Sequence, residues 1–289
     1  VNNVIYLTTY DKGVYVVNQT QSAIYPLPIK GPNHSFRQAD CNTVLGDTID
    51  GAEYLWIGSW NSGLYKYGIR DQKLTLYSSS NGLIDNKIIT VGKDKKGTLW
   101  LGMDGFGLVR VVDKNKGIFE NFHHDPNDLK GLRANSIFSF VTDNKGELWY
   151  GSSASGIGHI QYTNDSKPIF VQYDDPQPYK KLYPKKMAID DLNRIWMKTP
   201  DGIMIFDTAV KRFIHLEHGD GIYPLQSYRP SGFYLNDDQI IWLTDKGLIK
   251  GKIAQVHRTD IFKIKPIVSQ FRILNEDHTY KLNSDNIIL

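Results

Sequence analysis

The segment TLWLGMDGFGLVRV at residues 98–111 is one of six similar stretches, and this repeat decides the fold. Each stretch contains an apolar strand, a short loop with a glycine at its end, and a second apolar strand. One aromatic slot recurs every 44 to 50 residues and holds Tyr6, Trp56, Trp100, Trp149, Trp196 and Trp242. The six copies span residues 4–17, 54–67, 98–111, 147–162, 194–207 and 240–251. A period of this length is typical of stacked or radially repeated structural units.

Turn-forming residues such as Asp94 to Gly97 precede the aromatic slot, and they separate it from an earlier apolar run. A weaker strand, such as residues 118–123, follows each motif. Four antiparallel strands per repeat are the content of one propeller blade. The core strands are apolar on both faces, as expected for sheets packed between two neighbours. The sequence therefore predicts an all-β protein, a β-propeller of four-stranded antiparallel blades.

The number of blades stays open, because the first copy begins at its second strand. The alternatives are a six-bladed ring, a seven-bladed ring cut at its N-terminus, which we favour, and a ring closed by a partner. An open ring would expose strand edges and apolar blade faces. We expect the propeller to span residues 1–262. Residues 263–289 are too few to bury a core, and we expect them to be the truncated start of another β domain.

Composition narrows the function classes. The 289 residues are 40% hydrophobic and carry a net charge of only +3, with scattered Lys and Arg, so nucleic acid is not an expected partner. Cys41 is the one cysteine and is expected to be a small core residue rather than half of a disulfide. No apolar run approaches the ~20 residues of a membrane span. Val1 opens directly into strand-like sequence, so we expect the numbering to begin inside a longer precursor.

The recurring pattern Asp-x-x-Gly-x-Leu-Trp-x-Gly, together with SNGLIDNKI (80–88) and DPNDLKGLRANSIFSF (125–140), resembles the two-component regulator propeller repeat. That repeat builds the periplasmic sensor region of hybrid two-component regulators in Bacteroides-type bacteria. The segment IKPIVSQFRILNED (264–277) resembles the start of the Ig-like Tyr-Tyr-Tyr domain that follows such propellers. The sequence departs from the pattern in the first copy, and at Lys198 and Thr244, where the glycine two residues after the aromatic slot is missing.

This resemblance implies a non-enzymatic periplasmic receptor region that recognises oligosaccharides and regulates polysaccharide utilisation, with no cofactor. It implies a signal passed through an Ig-like domain and a membrane helix to a cytoplasmic histidine kinase, so that membrane contact would come only from a segment outside this chain. Adjoining propeller and Ig-like domains and a second copy, in a homodimer, are the implied protein partners. The alternative functions are a protein-interaction or dimerisation platform and, less favoured, a propeller glycosidase or lyase.

Ligand contacts are expected on one face of the blades. The loops between the second and third strands and the long connections between blades fall on that face, at about residues 28–40, 78–86, 124–135, 174–184 and 217–230. Sugar recognition needs an aromatic plate with polar groups beside it. Trp60 is the one tryptophan outside the repeat slot. The candidate residues are Trp60, Asn61, Tyr10, Asp104, Phe106, His34, Arg37, Tyr179 and Arg229. The alternative is that these residues pack loops against each other or against an adjoining propeller.

Catalytic and metal sites are not expected. Two groups of possible metal ligands lack a zinc signature: His123, His124 and Asp125, and His215, Glu217 and His218. Glycoside hydrolysis needs two carboxyls on either side of a bound sugar. Neighbouring acids in the sequence are better explained as turn residues, and the pairs are Asp174 with Asp175, Asp190 with Asp191 and Asp237 with Asp238. A sialidase Asp box places Gly two and Trp five residues after Asp. Here Gly146 and Trp149 follow Asp143 by three and six, so the register does not match.

Overall fold

A computed structural model describes residues 4–31, 35–128, 131–153, 156–174, 183–199, 202–216, 233–236, 239–244, 247–252, 272–273 and 276–277. The chain forms two compact units, Val1–Pro184 and Lys185–Leu289. Within these ranges the regular structure is strand, apart from one 3-10 turn at Phe36–Gln38. No helix in the described part of the chain is long and apolar enough to cross a membrane.

The first unit contains four antiparallel sheets, blades A to D, whose strands pair in chain order. Blade A holds three strands, β1 Val4–Thr8, β2 Val14–Asn18 and β3 Ala23–Pro26. Blade B holds β4 Cys41–Ile49, β5 Ala52–Ser59, β6 Leu64–Gly68 and β7 Leu74–Tyr77. Blade C holds β8 Ile88–Lys93, β9 Leu99–Met103, β10 Leu108–Asp113 and β11 Ile118–Phe122. Blade D holds β12 Ile137–Thr142, β13 Leu148–Ser152, β14 Ile157–Tyr162 and β15 Pro168–Tyr173.

The second unit continues the pattern. Blade E holds β16 Lys186–Ile189, β17 Arg194–Thr199, β18 Gly202–Asp207 and β19 Arg212–Leu216. Blade F holds β20 Phe233–Asn236, β21 Gln239–Thr244 and β22 Gly247–Lys252, and a short hairpin pairs β23 Arg272–Ile273 with β24 Glu276–Asp277. The predicted all-β architecture of propeller blades is confirmed. The domain boundary at residues 262 and 263 stays a prediction, because it lies outside the described residues.

The aromatic slot has one environment in blades B to E, whereas Tyr6 of blade A is only half-buried. The four indoles at Trp56, Trp100, Trp149 and Trp196 are buried, and each faces a residue of the third strand. In each case the indole Nε1 donates to an aspartate carboxylate at 2.8 to 3.2 Å. The pairs are Trp56 with Asp47, Trp100 with Asp94, Trp149 with Asp143 and Trp196 with Asp190.

Turn chemistry explains why an aspartate stands six residues before the tryptophan. In blade C, Oδ1 of Asp94 accepts the backbone N–H groups of Lys96 at 2.9 Å and Thr98 at 3.0 Å, while Oδ2 accepts the indole of Trp100. Gly97 takes the positive φ that closes this turn. One carboxylate therefore fixes both the turn and the rotamer of the buried ring.

Apolar cores lie between successive blades of the first unit. Trp56 of blade B packs with Ile88 and Leu99 of blade C, and Trp100 packs with Tyr150 and Phe170 of blade D. A third core joins blades A and B. Strands β5 and β9 are buried on both faces near the aromatic slot because each lies between two sheets of the first unit. Trp56 and Trp100 therefore act as wedges between blades.

Candidate functional site

In the first unit the loops on the face where ligand contacts are expected are hydrogen-bonded to one another. In blades B and C the loop after the second strand meets the connection that leads into the blade, as in the bonds from Trp60 N to Asp40 O (2.8 Å) and from Asp104 N to Lys87 O (3.1 Å), and in blade A the loop after β1 is equivalent. We call this surface the loop rim. It comprises residues 9–13, 35–40, 59–63, 78–87, 104–107, 123–128, 131–136 and 153.

One part of the loop rim joins blades A and B, and we call it the A–B ledge (residues 9–13, 35–41 and 59–63). Its backbone is tied across the two blades, since Cys41 N donates to Thr9 O at 2.9 Å and Gly13 N donates to Ala39 O at 3.2 Å. Trp60 N donates to Asp40 O from the other side. The three segments of the ledge therefore form one connected backbone frame.

The centre of the A–B ledge is anchored from below. Phe36 is buried and meets the ring of Tyr65 edge-on, with ring centroids 4.9 Å apart. Gly13 has φ +67, and a Cβ there would lie 2.7 Å from the carbonyl oxygen of Phe36. This close approach requires glycine. The 3-10 turn is consequently held in place with Arg37 on its exposed side.

Four of the candidate residues are exposed together on this ledge. Tyr10 is 77% exposed and Trp60 is 39% exposed, while Arg37 and Asn61 are also exposed. The phenol of Tyr10, the guanidinium of Arg37 and the indole N–H of Trp60 have no partner among the described residues. The structure thus brings together two aromatic surfaces and several unused polar groups, the combination that sugar binding requires.

Asn61 is oriented by its neighbours. Its Oδ1 accepts the backbone N–H of Asp40 at 3.4 Å and the hydroxyl of Ser62 at 2.9 Å. The hydroxyl of Ser59 accepts the backbone N–H of Ser62 at 2.7 Å, which fixes the loop that carries these groups. The amide nitrogen of Asn61 is left to donate outward.

Asp104 and Phe106 lie on the loop rim in blade C, but they are engaged with neighbouring residues. The carboxylate of Asp104 accepts the hydroxyl of Ser136 at 2.9 Å, and Phe106 packs against the core between blades B and C. These contacts are those of loop packing, the alternative stated for the candidate set. The candidates His34, Tyr179 and Arg229 lie outside the described residues.

Sequence reasoning missed the residues that arrange the ledge. Asp40 and Ser62 orient Asn61, and Ile84 adds an aliphatic side chain, 40% exposed, to the neighbouring connection. The bond between Asp40 and Asn61 spans 21 residues of sequence. No local pattern encodes a contact of that range, so only the folded arrangement shows it.

Cys41 and His124 are engaged in the structure, and Glu217 and His218 lie outside the described residues. Burial, with a smaller contribution from Asp40, raises the pKa of Cys41 to about 12, so its thiol stays protonated and unreactive. His124 is held by the carbonyl of Leu132 and the side chain of Asn135. No group of three or more His, Cys, Asp or Glu side chains within the described ranges is arranged to hold a metal ion.

Comparisons with known proteins identify solved structures that share the fold of this chain. No family model and no curated protein matches the chain. Among solved structures, the chain is similar to the extracellular domain of BT3049, a proposed hybrid two component system from B. thetaiotaomicron. Its TM-score is 0.63 and its identity 19%, over 86% of this chain and 32% of that one.

Two further structures show the same fold. PorZ, a surface component of the type-IX secretion system of Porphyromonas gingivalis, gives a TM-score of 0.60 at 15% identity, over 86% of this chain and 37% of its own. The structure of YCF48 bound to D1 peptide gives a TM-score of 0.55 at 11% identity, over 93% of this chain and 79% of its own. The chain spans about a third of the length of the BT3049 and PorZ structures. The resemblance drawn from the repeats is confirmed at the level of architecture: the chain has the β-propeller fold of a hybrid two-component system's extracellular domain.

Proposed function

We propose that this chain is the ligand-sensing propeller of a periplasmic receptor ectodomain in a hybrid two-component system, and that it recognises oligosaccharides to regulate polysaccharide utilisation. The observation that carries the proposal is the fold shared with the BT3049 extracellular domain over 86% of the chain. The repeat sequence independently resembles the same class of sensor. In this proposal residues 263–289 lead into an Ig-like domain, and a membrane helix outside this chain connects to a histidine kinase.

The state of the acidic residues supports a binding role over catalysis. The repeated aspartates at positions 94, 143 and 190 use both carboxylate oxygens on backbone N–H groups and a buried indole. They are therefore committed to the turns and are not placed on either side of an open cleft, as a glycosidase requires. The exposed groups of the A–B ledge include two aromatic rings and several hydrogen-bond donors, which suit recognition.

Thermal unfolding against a broad oligosaccharide panel tests this function. A ligand present at about 100 times its Kd contributes about 2.7 kcal/mol to stability, which gives a clear rise in the melting temperature. Calorimetry with the responding sugar then gives the affinity. Lack of response to every oligosaccharide in both measurements would contradict the sensing function, and release of reducing sugar from the panel would favour a glycosidase or lyase.

A specific observation favours a second function, a platform for self-association. Ile5 and Leu7 of β1 and Ile24 of β3 share one face of blade A and are 44%, 45% and 67% exposed. By repeat position Ile5 and Leu7 match Leu55 and Ile57 of blade B, which are buried against blade A. The exposed face therefore has the shape of a surface that receives another sheet, and we propose a second copy of this chain as its occupant.

Sedimentation of the unchanged chain and of Leu7→Asp distinguishes this function. A platform predicts a concentration-dependent dimer that Leu7→Asp disrupts while blade packing and any glycan response persist. A chain that is monomeric over the whole concentration range would remove the support for self-association. The matched control Val112→Asp places the same charge at an exposed aliphatic site on blade C.

A further inference from the structure

We infer that the A–B ledge is the sugar-contacting site of the proposed sensor, in which Trp60 stacks on one pyranose ring and the amide nitrogen of Asn61 donates to one of its hydroxyl oxygens. The inference rests on the function proposed above and assigns it to named atoms. It extends further, because a ligand that also reaches Tyr10 and Arg37 must bridge two blades. The ligand class is accordingly an oligosaccharide chain rather than a single sugar.

The fixed donor is the central part of the argument. Because Oδ1 of Asn61 accepts Asp40 N, a rotated amide would place its nitrogen against that N–H and lose the bond, although the Ser62 hydroxyl could accept in place of donating. The bond from Asp40 N therefore favours the orientation in which the outward group is a donor. The neighbouring indole N–H of Trp60 and the guanidinium of Arg37 are donors as well. A surface of donors beside an aromatic ring fits the acceptor oxygens and apolar ring face of a pyranose.

The rigid frame of the ledge supports binding across two blades. Tyr10 belongs to the loop of blade A, Trp60 to the loop of blade B, and Arg37 to the 3-10 turn between them. Backbone bonds join these three segments, and Phe36 anchors the central one. The side chains are therefore presented from one preformed scaffold, which lowers the entropy that ligand binding must otherwise overcome.

Charge on the ledge is balanced, which favours a neutral sugar. Arg37 and Lys12 carry positive charge, and Asp11 and Asp40 carry negative charge on the same three segments. Recognition then depends on stacking and hydrogen bonds rather than on net attraction. We expect the affinity to change little between low and high salt, since screening weakens interactions between separated exposed charges.

Asn61→Asp is the decisive variant. The new carboxylate keeps an oxygen to accept from Asp40 N and Ser62, but it replaces the outward donor with an acceptor. The probes are short and long chains from partial hydrolysis of xylan, arabinan, galactomannan and laminarin, titrated into the full chain by calorimetry. Asn61→Asp is expected to change the affinity by roughly tenfold with an unchanged melting temperature, because a sugar hydroxyl that accepted from the amide must now donate to a carboxylate.

Three further variants complete the test. Trp60→Ala is expected to abolish binding, and Trp60→Phe, which keeps an aromatic face, to retain part of it. Tyr10→Ala is expected to weaken the long chains while leaving the shortest ones unchanged. If the unchanged chain binds a glycan and both Asn61→Asp and Trp60→Ala bind it equally well, the ledge assignment is wrong and the sensing function survives. If the unchanged chain binds none of these glycans, both proposals fail.

Discussion

The two ends of the blades differ in how far their side chains repeat from one blade to the next. At the end that carries the short turns, a buried aspartate holds a buried indole in each of blades B, C and D. At the loop rim, the equivalent positions differ from blade to blade: four residues after the slot stand Tyr10, Trp60 and Asp104, and the core-packed Phe106 stands where blades A and B have Lys12 and Ser62. Packing between sheets requires the first arrangement to repeat. The rim is free to vary because its side chains carry little of the core, which is where recognition groups accumulate on rigid scaffolds.

The largest expected effect is at the turn end. Trp100→Ala would remove a fully buried ring between blades C and D and leave Oδ2 of Asp94 without its indole donor. We expect a loss of about 3 to 5 kcal/mol in the free energy of unfolding, the usual range for deletion of a buried aromatic side chain. Urea unfolding measures the change. A loss below about 1 kcal/mol would mean that the repeat slot is not the structural wedge described here.

A glycine pair shows that the base of the rim is as constrained as the turn end. Gly107 has φ +77, and a Cβ there would lie 2.1 Å from the carbonyl oxygen of Phe122. Gly107→Ala is expected to cost about 2 to 3 kcal/mol through strain and displaced backbone. Gly105 has φ +82 with open space around it, so Gly105→Ala is expected to cost only about 1 kcal/mol. Equal losses in urea unfolding would contradict the close approach.

Asp47 carries the polar contact between blades B and C. Its carboxylate accepts Trp56 Nε1 at 3.2 Å, Lys93 Nζ at 2.9 Å and Lys114 Nζ at 2.6 Å. Asp47→Asn would leave the two lysines without their charge partner. Because both ammonium groups are partly exposed, water screens them, and we expect a loss of about 2 kcal/mol, below the range for a fully buried pair. Asp11→Asn on the rim is the control, with a change within about 0.5 kcal/mol.

The effect of Asp47→Asn depends on pH. Burial raises the pKa of Asp47, but the hydrogen bonds and charges of Lys114 and Lys93 outweigh burial and lower it. A carboxyl whose folded pKa is lowered adds stability above its unfolded pKa of about 3.9, and this stability is lost as pH falls through the folded value. The difference between the unchanged chain and Asp47→Asn should be constant near neutral pH and shrink below about pH 4. A difference that grows in acid would contradict this assignment.

The repeat period of the sequence predicted the fold because packing between neighbouring sheets requires the same spacing in every blade. The strand order, the aromatic slot and the turns at Asp94 and Asp143 follow from local spacing and from sheets buried on both faces. Blade B could not be predicted in the same way. Its indole donates to Asp47, inside β4. That carboxylate also accepts from Lys93 and Lys114, which lie 46 and 67 residues further along the sequence.

The candidate site was predicted in outline only. Loop length and topology placed Trp60, Asn61, Tyr10 and Arg37 on one face, and the structure brings them onto one ledge. Asp104 and Phe106 were selected by the same rule, yet they pack against Ser136 and the inter-blade core. Exposure distinguishes the two groups, and exposure depends on contacts between loops far apart in sequence. A topological rule identifies the face, whereas tertiary packing decides which side chains remain available.

The smallest expected effect on stability is at Trp60, on the A–B ledge. Trp60→Ala removes a ring that is 39% exposed, while the ledge uses only the backbone N–H of Trp60, which the substitution keeps. We expect the free energy of unfolding to change by no more than about 0.5 kcal/mol, as for most surface positions. Urea unfolding beside Trp100→Ala provides the direct contrast between two tryptophans. A loss of about 2 kcal/mol or more would mean that Trp60 is a packing residue, and the difference between the two ends of the blades would disappear at this position.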